Sequence, residues 1–491
     1  MSELKPSRLE LSATGRLTAT QIFLRGLGRI IMTAFFSRIE VVNAERFPKT
    51  GPVLVVSNHG NSLVDGVLIS CYLPRMPRLL AASILWKYKP LIPLLSAAGV
   101  VPVFRQQDVG VSAAKEQPLF DRSSEVLAKA DALSVFPEGL SHNEPHLLPF
   151  KSGAARIALE AEAQREKLGV QVLPVGITFD EKNKFRSRVL IQVGEPVDIS
   201  RQARVYAATQ DVATRRAVVR DLTGTIHGSL AQVTLSFSSW EDAQLIRLAT
   251  DIWAEASDDV DPEGDMLSQV DLQRSFSEGY AWLKRSCPAE VQQVRDNLKH
   301  YKDMLESAGA EVEANAPHRS RWDGPILLAL LPMWLIGSTL NFVPFHVSRW
   351  VAHGKDEDKM ATWSLFSSLL LFPFCWLTQA MLLGYVSSSD QGFGWGPFWS
   401  ASILSPAAGY LALEFLDRRR QWLGRLKARW AQRNVPKSAL NRKQLRADLK
   451  EQMEGLVDKY AAGSGQKSVE RREYSVVAEK YPQYYKSSIS E

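Results

Sequence analysis

Short apolar runs alternate with longer helical stretches between residues 51 and 200, and this alternation constrains the fold more than any other feature of the chain. The runs are rich in the residues that strands favour, and the stretches between them have helical periodicity. Such a pattern predicts an α/β domain in which helices flank a mixed central sheet and ligand groups lie on loops at strand ends. The predicted strands carry the sequences PVLVVSN, RLLAAS, GVVPVF, ALSVFPEG, VQVLPVGITF and RVLIQVGEPV.

Composition divides the rest of the chain into further regions. Residues 201–320 lack β-rich runs and have helical periodicity, which predicts a helical extension after the sheet. Residues 321–416 are far more hydrophobic than the rest, and Lys and Arg are concentrated in residues 417–491. We therefore predict a soluble α/β domain over residues 46–200, followed by the helical extension, a membrane region and a basic cytosolic tail.

The hydrophobic region contains three segments that are long enough to enter a bilayer. Segment 324–345 is interrupted by prolines and polar residues, which predicts a re-entrant helix. Segments 360–386 and 398–416 each approach the roughly 20 apolar residues that span a bilayer. The loop between them is short and nearly uncharged, so they predict a hairpin. Two crossings place the soluble domain and the basic tail together in the cytoplasm; three crossings, the alternative, would separate them against the positive-inside tendency.

The first 45 residues include an apolar stretch that arginines interrupt, LTATQIFLRGLGRIIMTAFFSR. Arg25 and Arg29 recur there at helical spacing among apolar side chains. The pattern predicts that residues 1–45 form amphipathic helices in the membrane interface. The alternative is a helix that packs on the α/β domain.

Charge and cysteine content narrow the classes of partner. The chain has 59 Lys and Arg against 53 Asp and Glu, a formal net charge of +6. The basic block in the tail indicates a solvated or membrane-facing surface, and we expect no nucleic-acid partner. The 3 cysteines are widely scattered, so they form neither a disulfide framework nor a zinc spacing. A reducing compartment is favoured for the soluble part.

The stretch NHGNSLVD, directly after the first predicted strand, carries the first candidate catalytic residues. Histidine moves protons near neutral pH, and a carboxylate on its second ring nitrogen fixes the tautomer. His59 and Asp65 are therefore a candidate base and its partner, with an ordinary strand-to-helix turn as the alternative. Five residues separate them, and on a regular helix six steps of about 100° would turn Asp65 away from His59. The pair can meet only across an irregular turn, for which Gly60, Asn61 and Ser62 are suited.

Further stretches carry candidate ligand-binding groups. Arg105 lies at the end of the predicted strand in GVVPVFRQQD. Its guanidinium could bind a phosphate there or simply be solvated. In VFPEGLSHNEPHLLPFKSGAARIAL, Lys151 and Gly153 open a helix whose free amides suit an anion. Glu138 in the same stretch could bind hydroxyls of a polyol, or it could organise the turn as a structural carboxylate. A last stretch, VLPVGITF, predicts a buried strand.

Taken together and in this order, these stretches resemble the motifs of the glycerolipid acyltransferase superfamily, which contains glycerol-3-phosphate and lysophosphatidic acid acyltransferases. The resemblance covers about residues 20–200. The superfamily usually has four residues between His and Asp. The longer spacing here and the run FPEGLSHNEPHLLPFKSGAARIAL are similar to the glycerol-3-phosphate or dihydroxyacetone-phosphate acyltransferase branch of fungi and some bacteria. The resemblance implies the glycerolipid acyltransferase fold for the α/β domain.

The same resemblance implies an activity. A fatty acyl group moves from acyl-CoA or acyl carrier protein to the sn-1 hydroxyl of glycerol 3-phosphate or dihydroxyacetone phosphate, the first step of phospholipid biosynthesis. His59 removes the proton of that hydroxyl, and Asp65 orients His59. The acceptor-binding residues that the resemblance implies are Arg105, Glu138, Gly139, Ser141, Lys151 and Gly153.

The expected partners are a membrane, the phosphorylated three-carbon acceptor and the acyl thioester, which is a substrate and not a cofactor. We expect no cofactor and no metal, because the sequence shows no ligand cluster. The chain is expected to be an integral membrane protein with its catalytic domain facing the cytoplasm. Two alternatives stay open: a lysophosphatidic acid (1-acylglycerol-3-phosphate) acyltransferase, and a membrane-anchored lipid-binding scaffold without turnover.

Overall fold

The computed structural model describes residues 17–87, 89, 92–103, 117–164, 168–182, 184–254, 265–307, 323–388, 393–433 and 437–463. The chain divides into two compact units. The first comprises Met1–Leu235 and Trp322–Arg419, and the second comprises Ser236–Arg321 and Arg420–Glu491.

The first unit is built on a sheet of seven strands. They are β1 (Arg38–Val42), β2 (Val53–Ser57), β3 (Arg78–Ala82), β4 (Val101–Val103), β5 (Ala132–Val135), β6 (Gln171–Phe179) and β7 (Arg188–Val193). The strand order is β1-β7-β6-β2-β5-β3-β4. Neighbouring strands are parallel except β6 and β7, which run antiparallel. The mixed central sheet that the sequence predicts is therefore confirmed.

One strand of this sheet lies outside the predicted set. The six predicted strands all form, whereas β1 falls within the segment 1–45 that we predicted as interface helices. Its sequence, RIEVV, begins only two residues after an apolar helix ends. No glycine or proline separates the two elements in the sequence, so the strand reads as a continuation of the helix. The strand pairs with β7 alone, at one edge of the sheet.

Helices cover both faces of the sheet and bury its central strands. They are α1 (Ala19–Phe35), α2 (Ser62–Tyr72), α3 (Ile92–Ala97), α4 (Gln117–Ala128), α5 (Gly153–Gln164), α6 (Ser200–Ala208) and α7 (Val212–Ala231). Successive side chains of a strand point to opposite faces. Leu54 and Val56 of β2 accordingly join a core with α4, α5 and α7, while Val53 and Val55 join another with α1 and α2. The end of β2 is thus held from both sides.

Helix α1 packs on the α/β domain, the arrangement that we considered as the alternative to a free interface helix. Its arginines face the protein: Arg25 Nε donates to Cys71 O at 3.0 Å, and Arg29 Nε donates to the same oxygen at 2.8 Å. The apolar side chains Phe23 and Ile30 are 67% and 68% exposed. The outward face of α1 is therefore apolar, which suits contact with lipid.

The hydrophobic region is helical. It contains α11 (Asp323–Leu340), α12 (Phe342–Ala352), α13 (Glu357–Val386) and α14 (Trp395–Arg433). Among the described residues, one helix, over Lys359–Val386, is long and apolar enough to cross a membrane. The pair α11 and α12 reaches that standard only if it counts as one span, and it is bent by 59°. The predicted segment 398–416 lies in α14, and α14 does not meet that standard.

Side chains from α13 satisfy the polar groups at the bend between α11 and α12. Trp376 Nε1 donates to Asn341 Oδ1 at 2.8 Å, and Gln379 Nε2 donates to Leu340 O at 2.6 Å. Asn341 Nδ2 donates to Gly337 O at 2.8 Å. A broken helix in an apolar region needs such partners for its exposed backbone groups.

The start of α13 and the middle of α14 both contact the α/β domain. Near the start of α13, Thr362 Oγ1 accepts a hydrogen bond from Leu63 N at 3.2 Å. On α14, Asp417 Oδ2 accepts from Arg186 Nε at 2.9 Å, and Arg186 lies in the loop between β6 and β7. The two helices thus leave the domain and return to it, as a hairpin does.

Four helices of the second unit share one hydrophobic core. These are α8 (Trp240–Ala254), α9 (Met266–Ser286), α10 (Pro288–Ser307) and α15 (Lys437–Gly463). Leu449 and Met453 of α15 are buried in one core with Leu248 and Leu298. The charged helix of the predicted tail therefore completes the core of the helical extension.

Candidate active site

His59 and Asp65 meet at the carboxyl end of β2, in the turn that leads into α2. His59 Nδ1 lies 3.0 Å from Asp65 Oδ2; the Asp65 side chain is fully buried, and the His59 side chain is 16% exposed. An ionised carboxylate only accepts hydrogen bonds, so Nδ1 carries the proton and Nε2 presents a lone pair. Nε2 has no hydrogen-bond partner among the described side chains and backbone groups.

The extra residue between His59 and Asp65 is accommodated before the helix begins. Asn61 has φ −142° and ψ 40°, outside the helical region, and Ser62 has φ +44°. Of Gly60, Asn61 and Ser62, which we expected to suit an irregular turn, Ser62 takes the left-handed backbone and Gly60 does not. Asn61 N donates to Asp65 Oδ2 at 2.7 Å, which closes the turn around the carboxylate. The chain between the pair is irregular, as the spacing requires.

Neighbours fix His59 on two sides. Asn58 forms a pair of hydrogen bonds with Ile177 of β6, one from Asn58 Nδ2 to Ile177 O at 2.9 Å and one from Ile177 N to Asn58 Oδ1 at 2.8 Å. The Phe136 ring stacks on the imidazole, with centroids 4.1 Å apart and planes at 12°. Both residues belong to the quoted motifs, but their pattern alone gave them no role.

Glu138 holds the turn and leaves no free oxygen for a substrate hydroxyl. Its side chain is fully buried. Oε1 accepts from His59 N at 3.0 Å, and Oε2 accepts from Leu148 N at 2.9 Å and pairs with His142 Nε2. The geometry favours the structural carboxylate, the alternative interpretation of Glu138, in which this residue fixes the His59 backbone.

The polar loop after Glu138 is bonded to the His59 turn along its length. His142 N donates to His59 O at 3.2 Å. Ser62 N donates to Ser141 Oγ at 3.1 Å. Ser141, which we expected in the acceptor pocket, therefore also supports the start of α2.

Lys151 crosses the same turn over Gly139. A Cβ atom on Gly139 would lie 2.7 Å from Lys151 Cδ and 2.8 Å from Lys151 Nζ, and Gly139 has φ +75°. Glycine is required there both for its backbone angle and for the passage of the lysine. Lys151 is exposed and Gly153 begins α5, so an ammonium group and a helix N-terminus lie beside the turn.

The remaining predicted site residue, Arg105, lies outside the described residues. Within those residues, no group of three or more His, Cys, Asp or Glu side chains is placed to hold a metal ion. The structure therefore brings His59, Asp65, Glu138, Ser141 and Lys151 together around one turn.

The role of Glu138 is testable by Glu138→Gln. The amide keeps the size but cannot accept on both sides, so we expect the free energy of unfolding to fall by about 1–3 kcal/mol. The turnover rate should fall with it, because the His59 backbone loses its anchor, while the Michaelis constant for the acceptor stays near its wild-type value. Thermal unfolding and initial-rate measurements on the purified protein report both quantities.

Glu144→Gln, at an exposed position of the same loop, is the control. Unchanged stability with a selectively raised acceptor Michaelis constant would restore the substrate-binding role.

Comparisons with known proteins find acyltransferases. A family model described as Acyltransferase matches residues 38–178. The chain is 26% identical over 286 residues to an uncharacterized acyltransferase of Schizosaccharomyces pombe, covering 53% of this chain and 40% of that protein. It is 23% identical over 287 residues to glycerol-3-phosphate O-acyltransferase 1 of Saccharomyces cerevisiae, covering 54% of this chain and 37% of that protein. The chain thus spans about two fifths of the length of these fungal relatives.

Shorter matches reach a second group. The chain is 30% identical over 128 residues to 1-acyl-sn-glycerol-3-phosphate acyltransferase alpha of Mus musculus, covering 26% of this chain and 42% of that protein. A crystal structure of the 1-acyl-sn-glycerophosphate (LPA) acyltransferase of Thermotoga maritima matches with 24% identity and a TM-score of 0.30, covering 43% of this chain and 79% of that chain. The family match shows an acyltransferase domain over residues 38–178, and the fungal relatives show that the chain is similar to members of the glycerolipid acyltransferase superfamily over about half of its length.

Proposed function

We propose that the chain transfers a fatty acyl group from a thioester, acyl-CoA or acyl carrier protein, to the sn-1 hydroxyl of glycerol 3-phosphate or dihydroxyacetone phosphate. The observation that carries the proposal is the His59–Asp65 pair, whose Nε2 atom has no partner among the described groups while Nδ1 is held by a buried carboxylate. The acceptor class follows the yeast glycerol-3-phosphate O-acyltransferases, whose matches cover 54% of this chain, against 26% for the mouse 1-acyl-sn-glycerol-3-phosphate acyltransferase.

The proposed reaction is a direct transfer. Nε2 of His59 takes the proton of the acceptor hydroxyl, and the oxygen attacks the thioester carbonyl. The tetrahedral intermediate collapses, the carbon–sulfur bond breaks, and the proton on Nε2 passes to the leaving thiolate. The imidazolium that exists between these steps is stabilised by Asp65. No cofactor is needed for this sequence of steps.

The oxyanion of that intermediate needs a hydrogen-bond donor. In the segment from His59 to Val64, the amides of His59, Asn61, Ser62, Leu63 and Val64 are bonded within the protein. The amide of Gly60 has no partner among the described groups, and the space that a Cβ on Gly60 would enter is open. We assign the oxyanion to this amide.

The activity is tested with a labelled acyl thioester and a panel of acceptors. Wild-type protein should acylate glycerol 3-phosphate or dihydroxyacetone phosphate faster than lysophosphatidic acid. His59→Ala should lower the rate by about 10²- to 10⁴-fold, the usual contribution of a positioned base. His146→Ala, an exposed histidine of the loop after Glu138, should retain wild-type activity. Preference for lysophosphatidic acid would support the 1-acylglycerol-3-phosphate alternative. Equal rates for wild type and His59→Ala would support the non-catalytic scaffold.

The acceptor phosphate is proposed to bind the Lys151 ammonium and the start of α5, together with Arg105. Lys151→Met should raise the Michaelis constant for the phosphorylated acceptor by about 10- to 100-fold, as expected for the loss of one charged hydrogen bond. The Michaelis constant for the thioester should stay unchanged, since its carbonyl approaches His59 and not the phosphate site. Lys129→Met, at an exposed lysine after α4, is the control. An equal rise for both substrates would contradict the phosphate role.

We further propose that the chain is an integral membrane protein whose catalytic domain faces the cytoplasm. The support is the apolar helix Lys359–Val386, the apolar outer face of α1, and the contacts of α13 and α14 with the α/β domain at both ends of the hairpin. An acyl chain and a lipid product partition into a bilayer. The phosphorylated acceptor arrives from the cytosol, so the two meet at the domain surface.

Cysteine labelling in sealed vesicles of known orientation tests this topology. Single cysteines at Lys129, Lys355 and Ser388 report the α/β domain, the α12–α13 loop and the loop after α13. The hairpin predicts that a membrane-impermeant maleimide labels the first two from the cytoplasmic side and Ser388→Cys from the other. Labelling of Lys129→Cys and Ser388→Cys from one side would contradict it.

The background protein for this experiment follows from the structure. Cys287 and Cys375 are partly exposed and are replaced by serine. Cys71 can stay, because burial raises the pKa of its thiol to about 11 and only the thiolate reacts.

A further inference from the structure

The start of α2, the helix that carries Asp65, has no cap from its own N-cap residue. The Asn61 side chain makes no capping hydrogen bond. The first N–H groups of a helix lack intrahelical partners and need them from elsewhere. Asp65 Oδ2 accepts from Asn61 N, and Ser141 Oγ accepts from Ser62 N. The amide of Leu63 remains, two residues before Asp65.

The partner of the Leu63 amide comes from the apolar helix α13. Leu63 N donates to Thr362 Oγ1 at 3.2 Å, across a separation of 299 residues in the chain. Thr362 stands at the second turn of α13, next to the start of the membrane-length segment Lys359–Val386. A hydroxyl in this position does what an N-cap side chain does, but it is supplied by a distant part of the chain.

Packing on either side of Thr362 fixes it in register with α2. Ala361 and Leu365 are 4% and 9% exposed and belong to the core that contains Val64 and Leu68 of α2. These α13 residues are four apart, so they lie on one face of the helix. The hydroxyl of Thr362 is thereby held against the first turn of α2.

A second polar contact joins α13 to the other half of the catalytic turn. Glu357, the first residue of α13, accepts a hydrogen bond from Asn143 Nδ2. Asn143 follows His142, whose side chain pairs with Glu138. The start of α13 therefore contacts both elements that position His59.

We propose that Thr362 is a positioning residue, which caps α2 from the apolar helix and so holds Asp65 in line with His59. This inference rests on the proposed function, because the pair is taken to be the catalytic base and its partner. Loss of the hydroxyl leaves the Leu63 amide unsatisfied and loosens the first turn of α2. Displacements of about 1 Å far from the reacting atoms can lower rates by about 10²-fold.

The test compares Thr362→Val with Thr362→Ser. Valine keeps the shape but removes the hydroxyl, whereas serine keeps the hydroxyl and removes a methyl group. We expect Thr362→Val to lower kcat by roughly 10- to 100-fold with little change in either Michaelis constant, and Thr362→Ser to restore most of the rate. Thr378→Val is the matched control, since Thr378 Oγ1 on the same helix bonds, among the described groups, only Phe374 O, one turn earlier.

Amide hydrogen exchange supplies a readout that does not depend on the reaction. The peptide that contains Leu63 should exchange faster in Thr362→Val than in wild type and at the wild-type rate in Thr362→Ser. Peptides from β6 should be unchanged in both, which excludes general unfolding. If wild-type protein transfers no acyl group to any acceptor, the proposed function fails, and this exchange pattern still decides whether Thr362 caps α2.

Two results would overturn the inference. The first is wild-type kcat and wild-type exchange at Leu63 in Thr362→Val. The second is an equal loss in the valine and serine variants, because that pattern would trace the effect to packing of the methyl group and not to the hydroxyl.

Discussion

The hydrogen bond between His59 and Asp65 is the interaction on which the rest of the site depends. A carboxylate buried away from water is costly unless hydrogen bonds satisfy it. Asp65 Oδ2 bonds to His59 and to the Asn61 amide, whereas the buried Oδ1 has no partner among the described groups. Its place in the first turn of α2 adds the favourable field of the helix N-terminus. Both bonds require the chain to leave helical geometry between the two residues. Ser62 carries that irregularity in its left-handed backbone.

The surrounding motif residues divide into groups that hold the turn and groups that face outward. The side chains of Asn58, Glu138 and Ser141 form hydrogen bonds with backbone groups of neighbouring segments. Lys151 instead extends across Gly139 at the surface. The motif residues therefore have two different roles: some fix the turn that carries His59, and others remain available to a ligand.

Much of this arrangement is readable from the sequence because it is local. The motif that follows the end of the first predicted strand identified His59 and Asp65 as a candidate pair. The spacing between the two residues required an irregular turn. Two features escaped prediction: β1 is a short edge strand that follows a helix almost directly, and Thr362 lies 299 residues from the amide it caps. For Glu138 the sequence left two interpretations open, and its bonds to His59 N and Leu148 N favour the structural one. Contacts between segments that are far apart in the chain leave no periodic pattern in the sequence, so sequence analysis does not detect them.

The composition of the helical bundle has a consequence for the order of events during synthesis. Its core closes only when Leu449 and Met453 of α15 join residues of α8 and α10. The ribosome makes the entire apolar region between α10 and α15, and chains fold as their segments emerge. The core of the bundle therefore stays open until α15 has been synthesised, which happens only after the whole apolar region. Completion of the bundle is thus a late event in the folding of each molecule.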